Sequence, residues 1–203
     1  MCIRDSHPAV AAVAPLRRRL GERRELTIFN LLGPLLNPAS PDYQLTGIYR
    51  SEMLPLYAEA LGLMGRKVAW AVHGEGVHPG EGVDELSITG PSRVVAVRGE
   101  CPMESEEFTI SPAGLGFPQV TDQEILLGDD AVENATRITR ILSGRESGAA
   151  RDMIMLNAAA ALHLAGIGVT LHDALHLASE SIDAGKALRS LELLRSASAG
   201  VSG

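Results

Sequence analysis

The run Val68-Ala69-Trp70-Ala71-Val72 constrains the fold of this chain more than any other stretch. It is short and nearly all apolar, the pattern of a parallel strand buried on both faces, and such a strand needs helices packed on it. The neighbouring sequence supplies them. Tyr43 to Tyr49 is predicted as a strand, and Ser51 to Leu63 as an amphipathic helix with Ser51 as its N-cap. Beyond the run, Leu86 to Ile88, Ser92 to Arg98 and Glu106 to Ile110 are short and β-prone, as in a meander. Helical patterns then cover Ala131 to Leu142, Ala149 to Ala165 and Leu171 to Leu194. At the other end, His7 to Leu20 reads as a helix kinked at Pro15, and Thr27 to Pro34 as a short helical turn halted by Gly33-Pro34. Strand-helix-strand, then a meander, then helices implies an α/β fold with a mixed central sheet flanked by helices.

Composition narrows the function classes. Aromatic residues are 3% of the chain, so the core has to be aliphatic. A net charge of −7 argues against nucleic acid or an anionic membrane as the main partner. A local exception is Arg17-Arg18-Arg19 with Arg23-Arg24, either a solvated helix face or an anion site. No apolar run reaches the ~18 residues of a membrane span, and a secretory leader is not expected. Cys2 and Cys101 show no metal-ligand spacing, which points to a reduced, cytoplasmic setting.

The most informative local feature is the loop from His73 to Gly82, whose glycines follow an apolar strand and let backbone approach a ligand closely. It matches neither a P-loop nor a Rossmann turn. It ends at Asp84-Glu85, adjacent hard-oxygen ligands suited to Mg²⁺ carried on a phosphate substrate; the plainer alternative is a solvated turn. His172 and His176 have an i, i+4 spacing but read better as an exposed helix face. Asn157-Ala158-Ala159-Ala160-Ala161-Leu162 reads as tight helix packing.

Taken in order, the segments resemble one family. Thr27-Ile28-Phe29-Asn30-Leu31-Leu32-Gly33-Pro34-Leu35-Leu36-Asn37-Pro38-Ala39 is very similar to the signature of the anthranilate phosphoribosyltransferases. His7-Pro8-Ala9, Val72-His73-Gly74, Gly82-Val83-Asp84-Glu85, Glu133-Asn134-Ala135, Ile141-Leu142-Ser143-Gly144, the Asn157 segment and Gly185-Lys186-Ala187 stand in the same order. The resemblance spans about residues 7 to 195. It implies a fold of the nucleoside phosphorylase/phosphoribosyltransferase kind, with a remnant of a helical amino-terminal domain, and transfer of phosphoribosyl from phosphoribosyl pyrophosphate (PRPP) to anthranilate in tryptophan biosynthesis. It implies that His7, Arg17, Gly33 and Pro34 line the anthranilate site, with Arg17 meeting the carboxylate, and that Asp84 and Glu85 hold Mg²⁺ against pyrophosphate. No covalent nucleophile is implied. The resemblance also implies a homodimer for the full-length protein.

This chain departs from the pattern in several places. The segments Gly-Thr-Gly-Gly-Asp, Lys-His-Gly-Asn and Asn-x-Ser-Thr, which lie upstream in the family and include its PRPP-binding glycine loop, do not occur in it. Residues 1–6 do not resemble what normally precedes His7 and are expected to be a foreign or misread start; residues 7–197 form the α/β domain with linking helical segments 7–40, and 198–203 a flexible tail. Residues 22–26 and the loop 74–82 are longer than usual. The chain alone is expected to be catalytically incompetent. The other readings are a pyrimidine nucleoside phosphorylase-like enzyme and a non-catalytic, nucleic-acid-binding relative.

Overall fold

A computed structural model of the chain describes residues 12–22, 28–37, 39–76, 78, 80, 82–99, 103–118, 120 and 130–200. The sheet is built from β1 (Tyr43–Gly47), β2 (Val68–Glu75), β3 (Gly82–Val83), β4 (Ser92–Arg98) and β5 (Glu104–Ile110). Its order is β1-β2-β4-β5, with β3 also paired to β2. β1 runs parallel to β2, with Tyr43 opposite Val68 and Gly47 opposite Val72, while β3 and β4 are antiparallel to β2. The mixed sheet expected from the sequence is therefore present, and the apolar run lies at its centre.

Alternation along β2 separates two cores. Ala69 and Ala71 face α3 (Leu54–Leu63), packing with Leu54, Ala58 and Leu61. Trp70 and Val72 face α5 (Ala149–Leu164), packing with Leu156, Ala160 and Leu164. Small residues on the first side and a tryptophan on the second let helices of different girth close on one strand. Behind α5 lies α6 (Leu171–Asp183), seated through Ala159, Ala174 and Ala178. α4 (Ala131–Leu142) starts at Asp130, whose side chain accepts from the amides of Val132 and Glu133 at 2.8 Å each.

Several elements differ from expectation, each for a local reason. Leu171 to Leu194 is not one helix: α6 ends at Asp183 and α7 (Lys186–Gly200) begins after Gly185, whose φ of 71° breaks the helical path. α7 runs on through residues 198–200 of the segment expected as a tail. Ser51 is not a cap. It opens a 3₁₀ turn, Ser51–Met53, that leads into α3, and no side chain caps that turn. Leu86 to Ile88 does not form a strand, because side chains rather than a neighbouring strand take its backbone groups. The helix expected from His7 to Leu20 lies outside the described residues up to 11; beyond that Ala12 is helical, Val13 is a turn, and α1 (Ala14–Glu22) starts afresh with Pro15 in its first turn, where a missing N–H costs little. α2 (Ile28–Leu35) ends one residue beyond Gly33-Pro34, close to the stop expected there. No helix among the described residues is long and apolar enough to cross a membrane.

α2 is tied to the sheet's α3 side by two side chains. The Tyr57 hydroxyl donates to the Leu31 carbonyl at 2.7 Å, and Gln44 Nε2 donates to the Pro34 carbonyl at 3.0 Å. Arg66, only 2% exposed, donates through Nε to Gln44 Oε1 at 2.8 Å and so fixes which way the Gln44 amide points. Burial pushes the Tyr57 phenol up to about 12 from 10.0, so it remains a donor at any working pH. The sign of the linkage follows: the neutral form is favoured in the fold, so its stability is full below pH 10 and is lost as pH rises towards 12. Tyr57→Phe should lower stability by about 1 kcal/mol at neutral pH, measured by denaturant midpoint, and should flatten the stability profile in that alkaline window.

Candidate active site

β3 occupies the same side of β2 as β1, pairing with Gly74 and Glu75 just beyond the point where β1 ends. The chain leaving β3 at Val83 must therefore turn across the carboxyl end of β1. Two glycines make room for it. A Cβ on Gly47 would fall 1.4 Å from the Asp84 carbonyl oxygen, and a Cβ on Gly74 would fall 2.5 Å from the Glu85 carbonyl oxygen. No other residue type fits at either position without moving the loop.

The segment after the acidic pair is rigidly held. Leu86 and Ile88, 0% and 2% exposed, plug the core on the α5 side. Asn157 Oδ1 accepts from the Leu86 amide at 3.0 Å, and its Nδ2 donates to the Leu86 carbonyl at 2.8 Å. The Ser87 amide donates to Ser92 Oγ at 2.9 Å, and the Thr89 hydroxyl donates to the Glu75 carbonyl at 2.9 Å. Asp84 and Glu85 thus project from an exposed turn mounted on a fixed base. The Glu85 carboxyl is held above its ordinary value, first by partial burial and then by the neighbouring Asp84 charge.

These residues fit a hard divalent cation. Mg²⁺ is bound by one or two carboxylates together with phosphate oxygens and water, and a cation beside Glu85 would relieve the like-charge repulsion it feels. Among the described residues no group of three or more His, Cys, Asp or Glu could hold a metal ion. A cation at Asp84-Glu85 would complete its coordination shell with other groups, such as water or the oxygens of a bound anion.

Beside the loop opens a cleft of about 610 Å³, lined in part by Tyr49, Arg50, Glu52, His73, His78 and Arg93. The acidic pair is not among its lining residues. His73 Nδ1 lies 2.7 Å from the Ile48 carbonyl, which can only accept, so Nδ1 carries the proton. Arg93 is already paired with Glu107 on β5.

The other residues singled out in the sequence are distributed as follows. His7 lies outside the described residues. Arg17 is carried by α1, and Gly33 and Pro34 by the last turns of α2. α2 packs through Leu31 and Leu35 on the α3 side of the sheet, whereas the acidic loop packs through Leu86 on the α5 side. The two groups thus flank β1, an edge strand among the described residues, from opposite faces. Asn157 is the residue that sequence reasoning reads as packing alone. Its signal is a polar amide inside an otherwise apolar, small-residue stretch of helix, which needs a partner when buried. His172 and His176 are exposed on α6, as expected.

Known proteins are similar to this chain in sequence and fold. Residues 1–188 match the family described as glycosyl transferase family, a/b domain. An anthranilate phosphoribosyltransferase of Anaeromyxobacter dehalogenans is 43% identical over 188 residues, covering 93% of this chain and 52% of its own length. That of Rubrobacter xylanophilus is 42% identical over 192 residues, covering 95% and 53%. The chain thus spans about half the length of the curated relatives it matches. Among solved structures, the enzyme of Thermus thermophilus superposes with a TM-score of 0.76 at 35% identity, over 92% of this chain and 51% of that one. The Saccharomyces cerevisiae enzyme in complex with PRPP and Mg gives 0.76 at 30% identity, over 92% and 50%. With its mixed sheet, its glycine-cradled loop and a match running over nearly its whole length, the chain belongs to the glycosyl transferase family, a/b domain.

Proposed function

We propose that this chain carries the metal-binding loop and part of the anthranilate site of an anthranilate phosphoribosyltransferase, an enzyme that joins anthranilate to the ribosyl C1 of PRPP and releases pyrophosphate. The observation that carries the reading is the Asp84-Glu85 pair, mounted on a fixed loop at the carboxyl end of β1 and β2, in a chain whose relatives bear that name and one of which binds PRPP and Mg. The amine of anthranilate is a weak nucleophile, so departure of pyrophosphate accounts for much of the barrier. The C1–oxygen bond breaks, its electron pair leaves with pyrophosphate, and the nitrogen lone pair forms the new bond and sheds a proton to solvent. Mg²⁺, when bound, stabilises the charge gathering on the leaving group. Asp84 and Glu85 set where that cation stands, and the fixed loop means that little reorganisation is needed as charge develops.

Arg17, His7, Gly33 and Pro34 complete the proposal as the anthranilate side. A guanidinium grips a planar carboxylate through a two-pronged pair of hydrogen bonds, which is the role assigned to Arg17. Tethering of α2 by Tyr57 and Gln44 holds Gly33-Pro34 in register with β1. A cytoplasmic setting and a homodimer belong to the same proposal.

The test is PRPP-dependent consumption of anthranilate by the full-length protein, meaning this chain with whatever its coding region carries upstream of His7. Mg²⁺-dependent turnover is expected, and phosphorolysis of pyrimidine nucleosides or nucleic-acid binding in its place would reject the reading. Arg17→Ala should raise the anthranilate KM by about 10²-fold, the loss of a charge-assisted pair of ~3 kcal/mol, with the PRPP KM little changed. An effect confined to PRPP would sink the Arg17 assignment.

A further inference from the structure

Leu86 follows the acidic pair directly, and among the described residues no strand pairs with its backbone. Asn157, on α5, supplies what a strand would. Its Oδ1 accepts from the Leu86 amide at 3.0 Å while its Nδ2 donates to the Leu86 carbonyl at 2.8 Å. The second Nδ2 hydrogen goes to the Met153 carbonyl at 3.0 Å, one turn back in the same helix. The amide orientation is fixed by this set, since the reversed amide would set its oxygen against two carbonyls and its NH₂ against an N–H.

The consequence reaches Glu85. The Leu86 nitrogen and the Glu85 carbonyl belong to one planar peptide. Asn157 grips that peptide through the nitrogen, and Gly74 backs its carbonyl, leaving no room for a Cβ. The plane from which the Glu85 side chain departs is held from two sides. A shift of the peptide would swing the carboxylate, and metal sites tolerate little such movement.

Resting on the assignment of Asp84 and Glu85 as metal ligands, we propose that Asn157 is a positioning residue for the metal site, a side-chain clamp that sets the Asp84-Glu85 loop for the cation. No other side chain serves both atoms at this reach. Aspartate keeps the acceptor and loses the donor, alanine loses both, and glutamine is a methylene too long.

The experiment measures metal binding directly in the full-length protein, by electron paramagnetic resonance of free Mn²⁺ in the presence of pyrophosphate, and PRPP-dependent kinetics across a Mg²⁺ titration. Asn157→Ala and the isosteric Asn157→Asp should each raise the half-saturating metal concentration about 10- to 100-fold, with the anthranilate KM moved less than ~2-fold. Ala159→Gly, a mid-helix change in α5 away from the loop, serves as the stability control: it should lower the Tm and leave metal binding alone. Asp84→Asn/Glu85→Gln reports on the underlying site. If that pair shifts metal binding and the Asn157 variants change only Tm, as Ala159→Gly does, the clamp is purely structural and the inference falls while the functional reading stands. If the acidic pair itself leaves metal binding unmoved, both fall. An Asn157→Asp protein that fails to fold would likewise mark the contact as structural and overturn the inference.

Discussion

Asp84→Asn combined with Glu85→Gln should lower PRPP-dependent kcat/KM of the full-length protein by about 10²- to 10³-fold, the scale for removing a fixed electrostatic contact to the leaving group. Both replacements keep the shape of the side chain and remove its charge. Partial burial first, and then the Asp84 charge, hold the Glu85 carboxyl above its ordinary value, so its charged form is disfavoured where it stands. The double variant should accordingly fold with an unchanged or slightly higher Tm while losing metal response. A drop in activity accompanied by a collapse in Tm would indicate a structural role for the pair. Parental activity across the whole Mg²⁺ titration would remove the carboxylates from the mechanism.

Gly47→Ala is the second change of large expected effect, and it touches no carboxylate. The added methyl would sit 1.4 Å from the Asp84 carbonyl oxygen, with the Asp84 carbonyl carbon at 2.2 Å, so either the loop lifts from β1 or the end of β1 moves. The loop's lower end cannot follow, because Leu86 is buried in the core and held by Asn157. Overpacking of this kind costs about 1–3 kcal/mol. The expected result is a lower Tm together with a metal response weakened at least ~10-fold, read by the same Mg²⁺ titration. Gly74→Ala should act in the same direction through the Glu85 carbonyl. A Gly47→Ala protein with parental Tm and parental Mg²⁺ dependence would show that the loop does not rest on β1 as described.

The run from Val68 to Val72 is legible in sequence because burial on both faces leaves a strand no polar position. The same reasoning places α3 and α5 and the strands β4 and β5, whose periodicities survive packing. The positions where sequence and structure part share a different cause. The break at Gly185 is hidden because apolar periodicity continues on both sides of it. Leu86 to Ile88 has strand composition yet is a buried loop, since its hydrogen bonds go to Asn157 and Ser92 side chains far along the chain or across a turn.

The candidate site divides the same way. Asp84 and Glu85 stand out in the sequence as candidate hard ligands after a glycine-rich loop, and the resemblance carried by the ordered motifs around them implies a task for them. Gly47 is not visible, because its neighbour is a carbonyl from another part of the chain, and a lone glycine at a strand end carries no such address. Asn157 reads as mere packing for the related reason that its partner lies 71 residues away. Local sequence records which groups a chain carries; the contacts that aim them are long-range.

Whether the Asp84-Glu85 loop holds the cation against the pyrophosphate of PRPP is tested most directly by a crystal structure of the full-length protein with Mn²⁺ and PRPP, the metal being located by its anomalous scattering. An anomalous peak about 2.0–2.3 Å from carboxylate oxygens of Asp84 or Glu85, shared with pyrophosphate oxygens, is the predicted result. Metal-bound pyrophosphate held elsewhere, with Asp84 and Glu85 facing only solvent, would contradict it.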